Sequence, residues 1–164
     1  MPSKRGSLNK MTLKEYNKKR DFKITSEPLG RKVEPKSKKK LIFVIHDHHA
    51  SHHHWDLRLE MEGVLASWAI PKSPEELKQK GTKRLAVQVE DHPLSYATFK
   101  GTIPEGNYGA GTVEIWDNGS YELKNKTPTK IEFELHGKKL TGNYVLIKTH
   151  FGSKPDKSWL WLKV

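Results

Sequence analysis

The 164 residues contain no cysteine. That absence removes disulfides, thiolate nucleophiles, zinc–thiolate sites and iron–sulfur clusters, and it fits a reducing compartment. Long apolar runs are missing too. No stretch approaches 18 residues, so no transmembrane helix is expected. The opening decapeptide MPSKRGSLNK lacks the apolar region of a secretory leader. Acidic residues are short in one region only. Residues 1–40 hold 14 of the 30 basic residues but 4 of the 19 acidic ones, and the rest of the chain is close to neutral. A basic arm ahead of a neutral body suits a polyanionic partner, because binding releases counterions from phosphates. The alternative is a solvated tail. A membrane surface fits less well, since no amphipathic apolar stripe accompanies the charge.

The chain divides at this change of composition. Residues 1–40 are expected to form a basic arm, with 1–11 disordered. Thr12 and Glu15 have capping-box spacing, and Leu13 and Tyr16 give a short helical face before Arg20. Residues 36–40 read as a basic linker. Residues 41–164 are expected to form one domain, long enough to bury a sizeable core. There the apolar pattern has period two, in short runs broken by turn residues. Glu62-Gly63 reads as a turn between two such runs. Asn118-Gly119 is the strongest hairpin signal in the chain. Ser73-Pro74-Glu75-Glu76 predicts a short capped helix ending near Gly81. About eight short strands with hairpin spacing imply an all-β fold, a barrel or sandwich with minor helices.

Histidine is abundant where it is least expected. Six of the nine histidines lie between His46 and His54. Such a tract suggests metal or phosphate chemistry, or adventitious metal binding. On the strand that follows, His54, Asp56, Arg58 and Glu60 share one face, and Trp55, Leu57, Leu59 and Met61 share the other. His48 precedes this strand and is placed to complete a His-His-Asp set suited to Mn, Fe or Zn. A second strand repeats the logic, with Arg84, Ala86, Gln88, Glu90 and His92 expected on one side and Leu85, Val87 and Val89 on the other. If the polar faces meet, a metal-binding set lies beside guanidinium groups. Fixed positive charge next to a metal points to an anionic substrate, most economically a phosphate.

Six stretches carry a family resemblance: RDFKITSEP (20–28), the H-x5-H-x-D-x-R pattern from His48 to Arg58, SWAIPKSP (67–74), KRLAVQVEDHPLSY (83–96), GTIPEGNYGAGTVEIWDNG (101–119) and the tryptophan strand at 158–164. Together they make the chain similar to the 3′-phosphoesterase module of bacterial DNA ligase D. The resemblance implies a compact β-barrel with a polar groove and a hydrolase dependent on Mn2+, with Co2+ or Zn2+ as alternatives. It implies phosphodiesterase removal of a 3′-terminal ribonucleoside, then phosphomonoesterase removal of the 3′-phosphate. Substrates would be DNA or RNA–DNA primer-template 3′ ends in non-homologous end joining. By motif, His48, His54 and Asp56 fall at metal-ligand positions, and Arg58 and His92 at phosphate contacts. Lys72 and Arg84 match further phosphate-binding positions, and Glu90 and Tyr96 supporting ones. Arg20, Asp21 and Glu27 match an N-terminal element tied especially to the monoesterase step. No ligase K-x-D-G motif is present, so ligase and polymerase partners are expected as separate proteins. A cytoplasmic, nucleoid-associated monomer is the corresponding expectation.

The chain departs from the family pattern where His49 replaces an acid and His52 an arginine, which opens the number and identity of bound metals. Other features have plainer readings. PEGNYGAG lacks the Lys-Ser/Thr of a phosphate loop and reads as a turn with positive φ. Trp159 and Trp161 read as barrel packing. Tyr96 suits the core or the site equally. Two other functional classes remain: a non-heme iron oxygenase using His54, Asp56 and a distal His136, and a nucleic-acid-binding domain without chemistry.

Overall fold

The computed structural model describes residues 13–22, 25–30, 40–150 and 154–164. The expected disorder of residues 1–11, the Thr12 cap and the linker at 36–39 lie outside the described residues. Within them the chain is almost entirely β. Nine strands form: β1 (Leu41–His49), β2 (His54–Met61), β3 (Val64–Ile70), β4 (Lys83–Pro93), β5 (Gly101–Ile103), β6 (Gly111–Lys126), β7 (Lys130–Gly137), β8 (Thr141–Lys148) and β9 (Ser158–Lys163). All pairings are antiparallel. The order β1-β2-β3-β4-β9-β8-β7-β6 closes on itself through β6 and β1, giving an eight-stranded barrel. The three-residue β5 pairs with the first residues of β6. Closure leaves no open edge among the eight strands.

Period-two alternation explains the layers. Leu57 and Leu59 of β2 join Phe43, Trp68, Phe133, Tyr144, Leu146 and Trp161 in the barrel interior. Trp159 and Trp161 pack there, as expected. The intervening residues of β1 and β2 face outward, yet they too are covered. A second apolar cluster of Tyr16, Val44, Leu65, Tyr96, Phe99, Ile103 and Val113 lies over that part of the wall. Residues 13–18 are helical, with Leu13 and Tyr16 buried as their spacing predicts. This double coverage makes room for a buried polar site outside the barrel core.

Three local expectations change. Asn118-Gly119 makes no hairpin, because β6 runs unbroken through it with β1 on one side and β7 on the other. Glycine serves here for close approach: a Cβ at Gly119 would lie 2.2 Å from the His136 carbonyl oxygen. The turn expected at Glu62-Gly63 does form, with both residues at positive φ. The segment after Ser73 is a 3-10 turn, Pro74–Lys78, capped by Ser73 but ending before Gly81. In β4, Ala86 is buried in the barrel core, whereas Glu90 and His92 belong to the outer layer. The register against β3 shifts between Leu65 and Ser67, so the alternation does not carry across that point.

Asp117 organises the barrel end. Its buried carboxylate accepts backbone hydrogen bonds from Asn118 (3.0 Å), Lys138 (2.9 Å), Lys139 (3.2 Å) and Leu140 (2.9 Å). These close the turn between β7 and β8. Asp117→Ala strands those N–H groups and is expected to lower the unfolding free energy by about 3 kcal/mol in urea titration. A loss below about 1 kcal/mol would show that water satisfies the turn equally well.

Candidate metal and phosphate site

The site grows from the register of β1 against β2. His48 lies opposite His54, His46 opposite Asp56, and Val44 opposite Arg58. Their outward faces therefore stack five polar side chains and Val44 in two rows along one strip of wall. His54 Nε2 is 3.3 Å and His48 Nδ1 3.7 Å from the same oxygen of Asp56. All three ligating atoms lie within 4.8 Å of one another. The second nitrogen of each imidazole is tied to backbone. His48 Nε2 donates to the Gly109 carbonyl at 2.7 Å, and His54 Nδ1 donates to that of His52 at 2.9 Å. These bonds fix the tautomers and leave His48 Nδ1 and His54 Nε2 with lone pairs facing the carboxylate. Two lone pairs and an anionic oxygen repel unless a cation stands among them. A proton meets that need in one state and a divalent metal in another. Burial works against charge on His54, but the hydrogen bond and charge of Asp56 outweigh it and raise its pKa. Burial likewise opposes ionisation of Asp56. Arg58 and the two histidines prevail, and its carboxyl is held well below the usual range.

Arg58 adjoins this set, 4% exposed. Its Nη2 is 3.4 Å from Asp56, its Nε donates to His46 Nδ1 at 3.2 Å, and its plane lies 5.0 Å from the Tyr96 ring. Its Nη1 is buried without a partner among the described residues. His46 was not marked by sequence reasoning, and it anchors this arginine. Its Nε2 donates to the Phe99 carbonyl, so Nδ1 must be the acceptor. Burial first, and Arg58 second, depress its pKa to about 3.

The N-terminal segment closes the other side. Arg20 donates from Nε to Glu27 (2.9 Å) and from Nη1 to the Tyr16 carbonyl (2.9 Å), and its Nη1 lies 3.5 Å from Glu90. Its Nη2 is 3.5 Å from His92 Nε2. Glu27 also accepts from Tyr96 at 2.7 Å and Thr25 at 3.0 Å. Lys19 pairs with Glu90 and lies over the Tyr108 ring. His92 donates from Nδ1 to the Glu90 carbonyl at 3.1 Å. Burial, then the charges of Arg58 and Arg20, keep it neutral by holding its pKa well below the usual value.

Together these groups line a cleft of about 470 Å3 that includes Arg20, Glu27, His48, His54, Asp56, Arg58, Glu90, His92 and Tyr96. Tyr96 is both buried and at the site, its hydroxyl held by Glu27. Three expected residues stand apart. Lys72 and Asp21 are exposed and do not line the cleft. Arg84 bonds the Ser73 carbonyl and Glu76, fastening β4 to the 3-10 turn. His136 lies on β7 beside Glu122 and Glu134, away from the cleft lining. It therefore does not complete the ligand set that the oxygenase reading needs. The loop from Ile103 to Gly111 has a role that its glycine spacing alone did not reveal. Gly109, at φ 75°, turns its carbonyl onto His48, and Tyr108 borders the cleft. Lys154 and His52 complete its rim.

The family model for the DNA ligase D 3′-phosphoesterase domain matches residues 46–148. The chain is 46% identical over 156 residues to the multifunctional non-homologous end joining protein LigD of Pseudomonas aeruginosa, covering 92% of this chain and 18% of that protein. It is 43% identical over 159 residues to LigD of Mycolicibacterium smegmatis, covering 90% and 20% respectively. The chain thus spans about a fifth of the length of these curated relatives.

The neutral buried histidines set an acid limit on stability. In the unfolded chain they protonate near pH 6.5, whereas in the fold they resist protonation until much lower pH. Below about pH 6.5 the unfolded state binds more protons, so stability falls as pH drops. The slope reaches about 1.4 kcal/mol per pH unit for each such histidine. In denaturant titrations between pH 7 and 4, His92→Gln is expected to flatten this decline by one histidine's share. An unchanged slope would mean that His92 is already charged in the fold.

Proposed function

The chain belongs to the DNA ligase D 3′-phosphoesterase family, and we propose that its cleft hydrolyses phosphate esters at nucleic-acid 3′ ends. One observation carries the reading. Arg58 is almost fully buried at the cleft, yet Nη1 has no partner among the described residues. A buried guanidinium N–H left unmade costs about 1–3 kcal/mol or more. An anion in the cleft supplies the missing acceptor. Beside the His-His-Asp set, the economical anion is a phosphate ester.

His48 Nδ1, His54 Nε2 and Asp56 are the groups that would hold a divalent metal, Mn2+ being the first expectation and Co2+ or Zn2+ the alternatives. Such an ion supplies Lewis-acid polarisation of a phosphate oxygen and a water of lowered pKa. The protein's own groups do the rest. Arg58 binds a non-bridging oxygen through Nη1 while its Nε stays locked on His46. Its planar fork cannot be replaced by a point charge. His92 presents Nε2 to the same phosphate. An arriving anion favours protonation of that nitrogen, which places a donor at the leaving oxygen. Arg20 brings a second guanidinium, oriented by Glu27, and Tyr96 orients Glu27. Both are positioning residues for Arg20.

The reading extends to two steps, removal of a 3′-terminal ribonucleoside and then of the 3′-phosphate, on DNA or RNA–DNA ends in end joining. A monoester carries about one more negative charge than a diester and has no nucleoside beyond it to hold it in place. The second guanidinium therefore matters most for the monoester. A ligation step would use the resulting 3′-hydroxyl.

Two substrates test this in Mn2+: a DNA primer ending in 3′-phosphate and one ending in a single ribonucleotide. The wild-type chain is expected to convert both to shorter or dephosphorylated 3′-hydroxyl products. Asp56→Ala should abolish both steps, and Arg58→Lys should lower each at least 100-fold. Full activity in Arg58→Lys would reduce that contact to a point charge. Arg20→Ala should depress the monoesterase at least tenfold more than the diesterase. Equal losses would make the N-terminal segment a general scaffold.

A further inference from the structure

The ribbon of β1 and β2 has a second face that the cleft does not use. Asp47 and His49 alternate with His48, and His53 immediately precedes His54. Asp47 lies opposite Trp55, on the face shared with Ile45 and Leu57 at the barrel end. There Asp47 Oδ1 accepts a hydrogen bond from His53 Nε2 at 2.6 Å and is 3.3 Å from His49 Nε2. The rings of His49 and His53 stack with centroids 4.0 Å apart, and His53 packs on Trp55 at 4.3 Å. One ligating atom from each of the three residues lies within 4.8 Å of the other two.

We propose that Asp47, His49 and His53 form a second metal site, for a divalent transition ion of the Zn2+ or Co2+ class. The inference stands independently of the phosphoesterase reading. Two imidazoles and one carboxylate prefer a borderline transition ion to Mg2+ or Ca2+, which take oxygen ligands. The side chains are already gathered, so little ordering is needed on binding. Asp47 has only these imidazoles as ion-pair partners among the described residues. The contrast with Glu122, Glu134 and His136 is informative. That group has a similar spread of ligating atoms, but Lys124 already lies 3.5 Å from Glu122 and 3.2 Å from Glu134. Its negative charge is met by a lysine, whereas Asp47 has no lysine or arginine partner among the described residues.

The position has a consequence for the cleft. Asp47 and His49 belong to the end of β1, and His53 to the residue before β2. An ion held by all three staples the two ends of the connection that carries His48 and His54. It binds on the reverse side of the ribbon, away from the substrate. This site raises the stability of the connection and takes no part in chemistry.

The full chain, stripped of metal, is titrated with Co2+, and the ions retained after desalting are counted. The wild type is expected to retain two per chain. His49→Ala/His53→Ala should retain one, and so should Asp56→Ala, while the three substitutions together should retain none. Zn2+ should raise the melting temperature of Asp56→Ala but not that of the triple variant. Both changed histidines are exposed, and circular dichroism checks that the fold persists. Phosphoesterase turnover in Mn2+ should survive in His49→Ala/His53→Ala. Retention of equal numbers by the wild type and His49→Ala/His53→Ala would overturn the site. So would an Asp56→Ala chain that binds none.

Discussion

A guanidinium buried in the wall of a β-barrel is the constraint around which this molecule is arranged. Arg58 points outward from β2 and away from the apolar interior, yet it is sealed from solvent. Each of its polar groups then needs an answer, because an unmet buried charge is costly. His46 answers Nε, and it can do so only while neutral and donating to the Phe99 carbonyl. Asp56 answers Nη2, and the face of Tyr96 covers the plane. The turn Leu94–Thr98 and its flanks exist in this position partly to deliver Tyr96 and that carbonyl. What remains is Nη1, the guanidinium nitrogen with no partner among the described residues.

The charges around it are close to balance before any ligand arrives. Lys19, Arg20 and Arg58 face Glu27, Glu90 and Asp56 through short contacts. Such a network holds its members in place at the cost of desolvating all of them. Under the proposed function, a phosphate entering beside Arg58 and Arg20 would add the negative charge that Nη1 of Arg58 and Nε2 of His92 are placed to receive. The metal-ligand set follows the same economy. Backbone carbonyls of Gly109 and His52 hold one nitrogen of each imidazole, so the opposite nitrogens converge on the carboxylate of Asp56. The first of these carbonyls comes from a glycine-rich loop and the second from the β1–β2 connection. Loop conformation therefore decides ligand geometry as much as the strands do.

The basic N-terminal arm has a double character. Its charge suggests a tether for nucleic acid, yet Tyr16 is fully buried and Arg20 and Glu27 line the cleft. Part of the arm is thus a wall of the site. Arg20 spends its charge on Glu27 and Glu90 rather than on solvent. This placement brings residues far from the histidine tract in sequence into the same cleft.

Much of this was legible before folding. Period-two alternation identified the core face of β2 and the outward row of His54, Asp56 and Arg58, because strand side chains alternate whatever the tertiary context. The spacing of His48 from that row, and the motifs shared with a known family, identified the metal-ligand candidates and the barrel. Other features depended on contacts between distant segments. His46 looked like one more histidine of a tract until Phe99 and Arg58 closed on its two nitrogens. Arg84 shared the period of Glu90 and His92, but a register shift against β3 separated them, and a bulge leaves no reliable mark in one strand's alternation. Asn118-Gly119 had hairpin chemistry, yet β1 and β7 claim its backbone on both sides. The sequence by itself determined the strands, their faces and the types of chemically active side chain, because these follow from local period and residue chemistry. Tertiary structure alone decided which imidazole nitrogen is free, which arginine N–H is unpaired and which face of the histidine ribbon meets the cleft, because each depends on a partner far along the chain.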